Sequence, residues 1–238
     1  EMVGELDEMS PSLINTGTWN VKSTEENSLR SFKIIDKQKE STQISSFYLA
    51  PQDEVHTLSN YIPGQFLPIS IMNNTDNTFI RRSYTLSRAP SSETYRISVK
   101  REEHGLASRI LHDDLKVGDV IYAGTPSGQF TIAENEHTVV LLSGGVGVTP
   151  MFAMLEGLIR NFENGEKPKK VWFIHGTQNI ESMAFLNTLS IMSKRYSWLN
   201  VHIAYSRELP PNNNQLNSIN VSEGRIDIKL LKSILPFD

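Results

Sequence analysis

The chain has 238 residues, no cysteine, and 23 Lys and Arg against 27 Asp and Glu, for a net charge of −4 with 38% hydrophobic residues. These values exclude an intrinsically disordered chain, a nucleic-acid partner bound through a basic surface, and disulfide, zinc–thiolate or Cys-ligated iron–sulfur sites, so any redox chemistry needs a bound organic cofactor. No apolar run approaches the roughly 18 residues of a transmembrane helix, and the first residues are acidic where a secretory signal is basic, so we expect a cytoplasmic protein without a transmembrane segment.

Between residues 31 and 132, short alternating runs are separated by turn residues, which is typical of antiparallel strands. The predicted strands include Phe32–Ile35, Ser46–Leu49, Gln65–Ile69, Tyr95–Val99 and Val120–Tyr122, with turns at Pro63-Gly64, Asn73 to Asn77 and Pro126 to Gly128. One short helix is predicted from about Ser108 to Leu115. The pattern indicates a barrel or a sandwich, and a β-barrel is the fold that we expect.

After Ala133, apolar strand-length runs alternate with helical patterns. The predicted strands are Val139–Leu142, Val171–Ile174 and Val201–Tyr205, and the predicted helices run from Thr149 as N-cap and Pro150 as first helical residue to near Gly165, from Ile180 to about Tyr196, and from Ile226 to Ile234. Alternation of this kind predicts βαβ units on a parallel sheet. We therefore expect a leader or linker over residues 1–30, a barrel domain over 31–135 and an α/β domain over 136–238, with the boundary near Glu134 to His137.

A glycine-rich turn, Ser143 to Pro150, lies between a buried strand and a helix. Small residues there let the backbone approach a pyrophosphate, and the helix start supplies N–H donors. Pro150 stands where the standard dinucleotide fingerprint has its third glycine, and Ile174 leads into His175 where that fingerprint has an acidic ribose ligand. The turn alone therefore leaves a nucleotide site and an ordinary tight turn both open. The six histidines show no paired ligand spacing, so no metal site is predicted.

Five short motifs follow one another along the chain: Arg82-Ser83-Tyr84-Thr85, Ile97 to Glu102, Gly105-Leu106-Ala107-Ser108, Pro126 to Phe130, and Gly144 to Pro150. In this order they resemble the ferredoxin–NADP⁺ reductase superfamily, and in particular the reductase modules of flavohemoglobins, over Ser31 to Pro236. The resemblance implies a flavin-binding barrel followed by a nucleotide-binding α/β domain. It implies FAD rather than FMN, because the second and third motifs look more like the FAD-using flavohemoglobin branch.

The function that this resemblance implies is that of an NAD(P)H-dependent flavin oxidoreductase. Hydride would pass from NADH or NADPH to FAD, and single electrons would then pass to a heme or iron–sulfur partner, as a separate protein or a fused domain. The alternative is a non-catalytic flavin- or nucleotide-binding regulatory module with a degenerate NAD(P) half. Family members continue with one more strand, a Cys-Gly-Pro turn and a helix, so we expect the α/β domain to be incomplete at Asp238.

For the first motif, the resemblance places Arg82 at the flavin diphosphate, where a forked cation fits two phosphate oxygens. It places Tyr84 against the flavin ring or ribityl chain, Ser83 beside it, and Thr85 near flavin N5 as a catalytic residue. Each residue also has an ordinary alternative: an exposed strand arginine, a half-buried barrel tyrosine and a β-branched strand residue.

The second and third motifs supply backbone groups in the family. The resemblance assigns cofactor contacts to Val99, Lys100 and Arg101, and diphosphate contacts to Gly105, Leu106, Ala107 and Ser108. Read without the resemblance, Lys100-Arg101 is a solvated charge pair and Ser108 is a helix N-cap.

For the pyridine nucleotide, the resemblance places Gly144, Gly145, Val146 and Gly147 at the diphosphate, and Thr149, followed by Pro150, near the nicotinamide as a second catalytic residue. Ser206 and Arg207 follow the third strand of the α/β domain, where related reductases bind the adenosine end. A Ser-Arg pair there would bond a 2′-phosphate and favour NADPH, whereas a plain loop charge would leave NADH equally acceptable.

Overall fold

The computed structural model describes residues 29–52, 57–133, 138–167, 169–210, 216 and 218–236. Residues 1–28 of the predicted leader and the predicted boundary segment, Glu134 to His137, lie outside the described residues.

The first half of the chain forms a six-stranded, barrel-like sheet in the order β4-β3-β6-β1-β2-β5. Its strands are β1 (Arg30–Lys39), β2 (Ile44–Pro51), β3 (Phe66–Asn73), β4 (Thr78–Thr85), β5 (Tyr95–Lys100) and β6 (Val120–Ala123). The five pairings that order them are all antiparallel. The antiparallel barrel predicted from the alternating runs is therefore confirmed.

The alternation of each strand separates an inner from an outer barrel face. On β5, Ile97 and Val99 are buried in the barrel core, whereas Arg96 and Ser98, which alternate with them, face outward. These outward residues are also buried, because the second half of the chain covers this side of the sheet: Arg96 forms an ion pair with Glu156 on the following domain.

A short helical segment follows β5 and precedes β6. Helix α1 (Leu106–Arg109) continues into a π-helical turn (Ile110–Asp114), so the predicted helix at Ser108–Leu115 is confirmed in type but starts two residues earlier. Its carboxyl end is held by Lys37 on β1, whose Nζ donates to the carbonyls of Leu111, His112 and Leu115 at 3.1, 2.7 and 3.0 Å.

The second half forms a four-stranded parallel sheet in the order β10-β9-β8-β7. Its elements are β7 (Thr138–Gly144), α2 (Val148–Glu163), β8 (Lys170–Thr177), α3 (Leu186–Arg195), β9 (Leu199–Tyr205), β10 (Asn220–Glu223) and α4 (Ile228–Ile234). The predicted α/β alternation is confirmed. Strand β10 was not predicted, because four half-buried or exposed residues carry little hydrophobic signal.

The starts of α2 and α4 also differ from the prediction. Gly145–Gly147 forms a 3-10 turn that runs directly into α2, so the N-cap is Gly147 and the prediction of Thr149 as N-cap and Pro150 as first helical residue is wrong. Likewise, α4 starts at Ile228 after Asp227, whose side chain accepts from the Leu230 N–H.

The helix predicted from Ile180 to Tyr196 is interrupted. A 3-10 turn, Ile180–Ser182, precedes Phe185, which has a φ of +63° in the left-handed region, and only Leu186–Arg195 is α-helical. A residue with a Cβ rarely adopts this backbone conformation. At Phe185 the conformation turns the chain sharply before α3. Phe185 is 4% exposed, and its ring stacks on Phe152 of α2 with centroids 4.2 Å apart.

Candidate functional site

Two adjoining cavities lie where the two halves of the chain meet. The first, of about 280 Å³, is lined mainly by barrel residues: Arg82, Tyr84, Ser98, Lys100, Glu102, Gly105, Leu106, Ala107, Ser108 and Val146. The second, of about 500 Å³, is lined mainly by the carboxyl ends of the parallel strands and includes Gly144, Gly145, Val146, Thr177, Ser206 and Arg225. Lys100 and Val146 line both cavities, so the two spaces meet at these residues.

Strand β4 presents a cation and an aromatic ring to the first cavity. Arg82 and Tyr84 are two residues apart on one strand and therefore share a face, while Ser83 between them is exposed on the other face. Burial raises the pKa of the Tyr84 hydroxyl, with Arg82 acting in the opposite direction. The ring is thus an apolar wall with a neutral hydroxyl next to a permanent positive charge.

The turn before α1 closes the first cavity. The Ser108 hydroxyl accepts from the Glu102 N–H at 3.1 Å and donates to the Gly105 carbonyl at 3.0 Å. A Cβ at Gly105 would lie 2.6 Å from that hydroxyl, so packing alone requires glycine here. Gly105 is the helix N-cap and no side chain caps it, so the alternative of Ser108 as N-cap is wrong. The first-turn N–H groups of a helix have no intrahelical acceptor and can serve an anion.

The residues at the end of β5 have different contacts. Lys100 lines both cavities and pairs with Glu102 through Nζ and Oε1 at 2.8 Å. Arg101 instead makes two bonds to Asp113, at 2.9 and 2.8 Å, and these bonds hold the pKa of that carboxyl below its usual value. Val99 is buried in the barrel core, and its carbonyl accepts from His112 Nε2 at 2.8 Å.

The glycine turn borders the second cavity and is open on that side. Gly145 has a φ of +54°, and a Cβ placed on it would meet no protein atom within 4 Å. At Gly144 the nearest atom to such a Cβ is the Gly176 carbonyl, 3.8 Å away. Neighbouring side chains therefore do not require small residues at this turn, and the free space beside the backbone fits a bound diphosphate.

Below this turn lies a buried imidazole. Ser143 at the end of β7 pairs with His175 on β8, with 2.9 Å between Oγ and Nδ1. His175 is 1% exposed, and burial lowers its pKa to about 4. The imidazole is therefore neutral at pH 7, and its contact fixes the residue from which the glycine turn starts.

At the far side of the second cavity, polar residues follow the ends of β8, β9 and β10. Ser206 donates from Oγ to the Thr177 carbonyl at 3.1 Å and lines the cavity, as does the exposed Arg225. Arg207 is exposed and does not line it; its backbone N–H bonds to the Gln178 carbonyl. Sequence reasoning missed Arg225 because β10 was not recognised, although ligands bind beyond the carboxyl ends of parallel strands.

Eight residues predicted from the resemblance do not line either cavity. They are Ser83, Thr85, Val99, Arg101, Gly147, Thr149, Pro150 and Arg207. Thr85, half-buried, ends β4 directly after Tyr84, and Thr149 is 4% exposed on the first turn of α2. Each is a sequence neighbour of a lining residue or of the glycine turn, and their contacts to cofactors stay predictions. Sequence reasoning missed Ser98 and Glu102, which do line the first cavity.

The described part of the chain contains neither a cluster of metal-binding side chains nor a membrane-spanning helix. No cluster of three or more His, Cys, Asp or Glu side chains in that part of the chain could hold a metal ion. Among the same residues, none of the helices is long and apolar enough to cross a bilayer.

Two family models match the chain, the oxidoreductase FAD-binding domain over residues 31–132 and the oxidoreductase NAD-binding domain over residues 141–237. A flavohemoprotein of Oceanobacillus iheyensis is 36% identical over 212 residues, which cover 87% of this chain and 50% of that protein. The chain thus spans about half the length of the curated relatives that it matches.

Solved structures agree. The flavohem-like FAD/NAD-binding domain of nitric oxide dioxygenase from Vibrio cholerae has a TM-score of 0.73 and 30% identity, covering 87% of this chain and 82% of that one. A ferredoxin NADP⁺ reductase from Neisseria gonorrhoeae, with bound FAD and NADP, has a TM-score of 0.67 and 19% identity, covering 87% of this chain and 76% of that one. The second likeness concerns the fold alone.

Proposed function

Because the chain belongs to the ferredoxin–NADP⁺ reductase superfamily, as an FAD- and NAD-binding oxidoreductase module of the flavohemoglobin type, we propose that it passes electrons from NADH or NADPH to a one-electron acceptor. The observation that carries this proposal is the pair of cavities that meet at Lys100 and Val146. Two cofactors bound there would lie side by side. FAD, when bound, would supply the change from two-electron to one-electron transfer, which amino-acid side chains do not provide.

The first cavity suits FAD. Arg82 offers a forked, permanent cation for the diphosphate, and the half-buried Tyr84 offers a flat apolar surface for the ring system. The N–H groups at the start of α1 would add donors to phosphate oxygens. We assign Thr85, which follows Tyr84 on β4, to the reacting edge of the flavin.

The second cavity suits a pyridine nucleotide. The open backbone at Gly144 and Gly145 would accept the diphosphate without a steric cost. The nicotinamide end would point toward Lys100 and the first cavity, and we assign Thr149, on the first turn of α2, to that end. At the opposite end, Arg225 offers a guanidinium suited to a 2′-phosphate. Ser206 lies beside it, and its hydroxyl would leave the Thr177 carbonyl to donate to that phosphate.

The identity of the one-electron acceptor is proposed from the relatives of this chain. The name flavohemoprotein denotes a protein with both flavin and heme, and this chain covers half of such a protein. We therefore propose a heme group as the acceptor, held by a fused domain or by a separate protein, with an iron–sulfur partner as the alternative.

Anaerobic spectroscopy tests this function. The purified chain is loaded with FAD, and flavin absorbance is followed after adding NADH or NADPH without oxygen. We expect binding of FAD and bleaching by at least one nucleotide. A parallel sample reduced by light with a sacrificial donor shows that the bound flavin is reducible. Bound flavin that light bleaches but neither nucleotide does would contradict the proposal and favour the non-catalytic binding module.

A further inference from the structure

A continuous chain of hydrogen bonds runs along the covered outer face of the barrel. It links Arg96, Ser87, Ser98, Ser46 and Glu40 in that order. Arg96 Nε contacts Ser87 Oγ at 3.1 Å, Ser87 Oγ contacts Ser98 Oγ at 2.7 Å, Ser98 Oγ contacts Ser46 Oγ at 2.7 Å, and Ser46 Oγ contacts Glu40 Oε1 at 2.5 Å. A cation thus begins the chain and a carboxylate ends it.

The carboxylate end fixes the direction of the bonds that lead from Ser98 to Glu40. A guanidinium N–H can only donate, and an ionised carboxylate can only accept. Because the single hydroxyl proton of Ser46 goes to Glu40, Ser98 must donate to Ser46. The single proton of Ser87 has two acceptors within reach, Ser98 Oγ and the Arg96 carbonyl at 3.2 Å. The hydroxyls of Ser98 and Ser46 therefore both point toward Glu40, which is the alignment that lets a proton move along them in that direction.

The chain of hydrogen bonds meets the first cavity, which is the proposed flavin cavity, at Ser98. Ser98 lines that cavity, although the residue is only 3% exposed, whereas Ser46 and Ser87 are 0% exposed. Strand register brings the hydroxyls together, since Ser46 on β2 pairs directly with Ser98 on β5. Glu40 directly follows β1 and is half-buried, so part of the residue is open to solvent. The path from cavity to solvent therefore has two steps, from Ser98 to Ser46 and from Ser46 to Glu40.

Packing does not account for this arrangement. A neutral hydrogen bond contributes little net stability, so a buried row of serines stabilises a sheet face no better than apolar residues of similar shape. The row also ends on a half-buried carboxylate and passes the cavity wall, and neither feature helps two strands to pair.

We propose that Ser98, Ser46 and Glu40 form a proton outlet for the flavin cavity, an inference that rests on the proposed function. Oxidation of one NAD(P)H by two one-electron acceptors gives NAD(P)⁺, two reduced acceptors and one proton, and this proton must leave the cavity. Ser98 Oγ takes it and gives its own proton to Ser46 Oγ, which gives its own to Glu40 Oε1. Glu40 then loses the proton to solvent, and the two hydroxyls rotate back to their starting direction.

The test starts from light-reduced, FAD-loaded protein and needs no pyridine nucleotide. The protein is mixed anaerobically with ferricyanide in weak buffer, while a pH-indicator dye follows proton release and flavin absorbance follows oxidation. We expect Ser98→Ala, Ser46→Ala and Glu40→Gln to slow proton release by about tenfold or more, since a positioned acid–base group contributes at least that much. Glu40→Gln decides the outcome if a serine variant misfolds, because it keeps the shape and the acceptor oxygen but cannot take a proton.

Two matched controls separate an outlet from a structural network. Ser45→Ala removes the neighbouring β2 hydroxyl, which the chain of bonds does not include. Ser87→Ala removes a hydroxyl of the same chain on the side away from Glu40, and the path from the cavity to Glu40 stays intact. Both variants should release protons at the wild-type rate. Without cofactor, NMR should detect a slowly exchanging Ser98 hydroxyl proton that Ser46→Ala exposes to rapid exchange.

Two results would overturn the outlet: proton release at the wild-type rate in Glu40→Gln, or equal slowing by Ser87→Ala and Ser98→Ala. The proposed function fails separately, when light reduces the bound flavin but neither NADH nor NADPH does, and the outlet can then still be measured. If the protein bound no FAD, both the outlet and the proposed function would be overturned.

Discussion

Gly145 shows how one backbone angle serves the nucleotide cavity. Its φ of +54° lies in the left-handed region, and the space beside it is open. Alanine is tolerated there at a cost of about 1 kcal/mol in the free energy of unfolding. The same methyl group would occupy the space proposed for the diphosphate. We expect Gly145→Ala to weaken NAD(P)H binding by about tenfold or more, as loss of one or two diphosphate contacts would, and to leave FAD affinity unchanged.

A matched variant separates strain from ligand contact. Gly165, after α2, has a φ of +96° and likewise no protein atom within 4 Å of an added Cβ, but it lies away from both cavities. Gly165→Ala should lower stability at least as much as Gly145→Ala and leave both affinities unchanged. Titration calorimetry and urea unfolding measure the two effects, and equal nucleotide affinity in both variants would contradict the proposed diphosphate site.

His175 makes stability depend on pH. Its pKa of about 4 in the folded chain, against 6.5 when exposed, means that the unfolded chain binds more protons between these values. The contribution, about 3 kcal/mol, is fully present above pH 6.5 and is lost as pH falls toward 4. We expect His175→Asn, which retains an acceptor for Ser143, to lose markedly less stability than wild type in urea unfolding between pH 7 and pH 4. If the stability of wild type and variant fell in parallel with pH, burial would not lower the pKa of His175.

At the scale of single elements, the sequence predicted types well and boundaries poorly. Strong periodicity identified β7, α2 and β9, because buried residues recur there at strand or helix spacing. Helix α2 starts at Val148 because Gly147, the last residue of the 3-10 turn, already has right-handed helical backbone angles, and no side chain caps the helix. The break at Phe185 depends on its stacking with a distant helix, which no local pattern encodes.

The candidate site divides along the same line. Motif residues such as Arg82, Tyr84 and Gly145 were predicted because their chemistry is recognisable in a short window. Ser98 and Arg225 were missed because their positions depend on strand register and on the fourth parallel strand. Serine is common on outward strand positions, and only the pairing with Ser46 gives this one a distinctive environment.

At the scale of the whole molecule, Arg96 joins the two halves. It is 7% exposed, and its guanidinium lies 5.3 Å from the Phe152 ring centroid and 5.4 Å from that of Phe185. It also forms a 3.4 Å ion pair with Glu156, whose second oxygen accepts from the Ala89 N–H at 2.8 Å. A barrel cation is therefore enclosed by side chains of the α/β half.

We expect Arg96→Met to uncouple the two halves. Methionine is an apolar side chain of similar length, but it lacks the charge that makes the ion pair with Glu156 and the contacts to the rings of Phe152 and Phe185. Breaking a mostly buried ion pair costs about 3 kcal/mol in the free energy of unfolding. Scanning calorimetry should show one transition for wild type and two for the variant. Arg195→Met is the control, because Arg195 also joins a carboxylate, Glu163, and a ring, Tyr196, but is 67% exposed and lies within one half. It should cost less than about 1 kcal/mol and keep one transition, and a single transition in both variants would mean that Arg96 does not couple the halves.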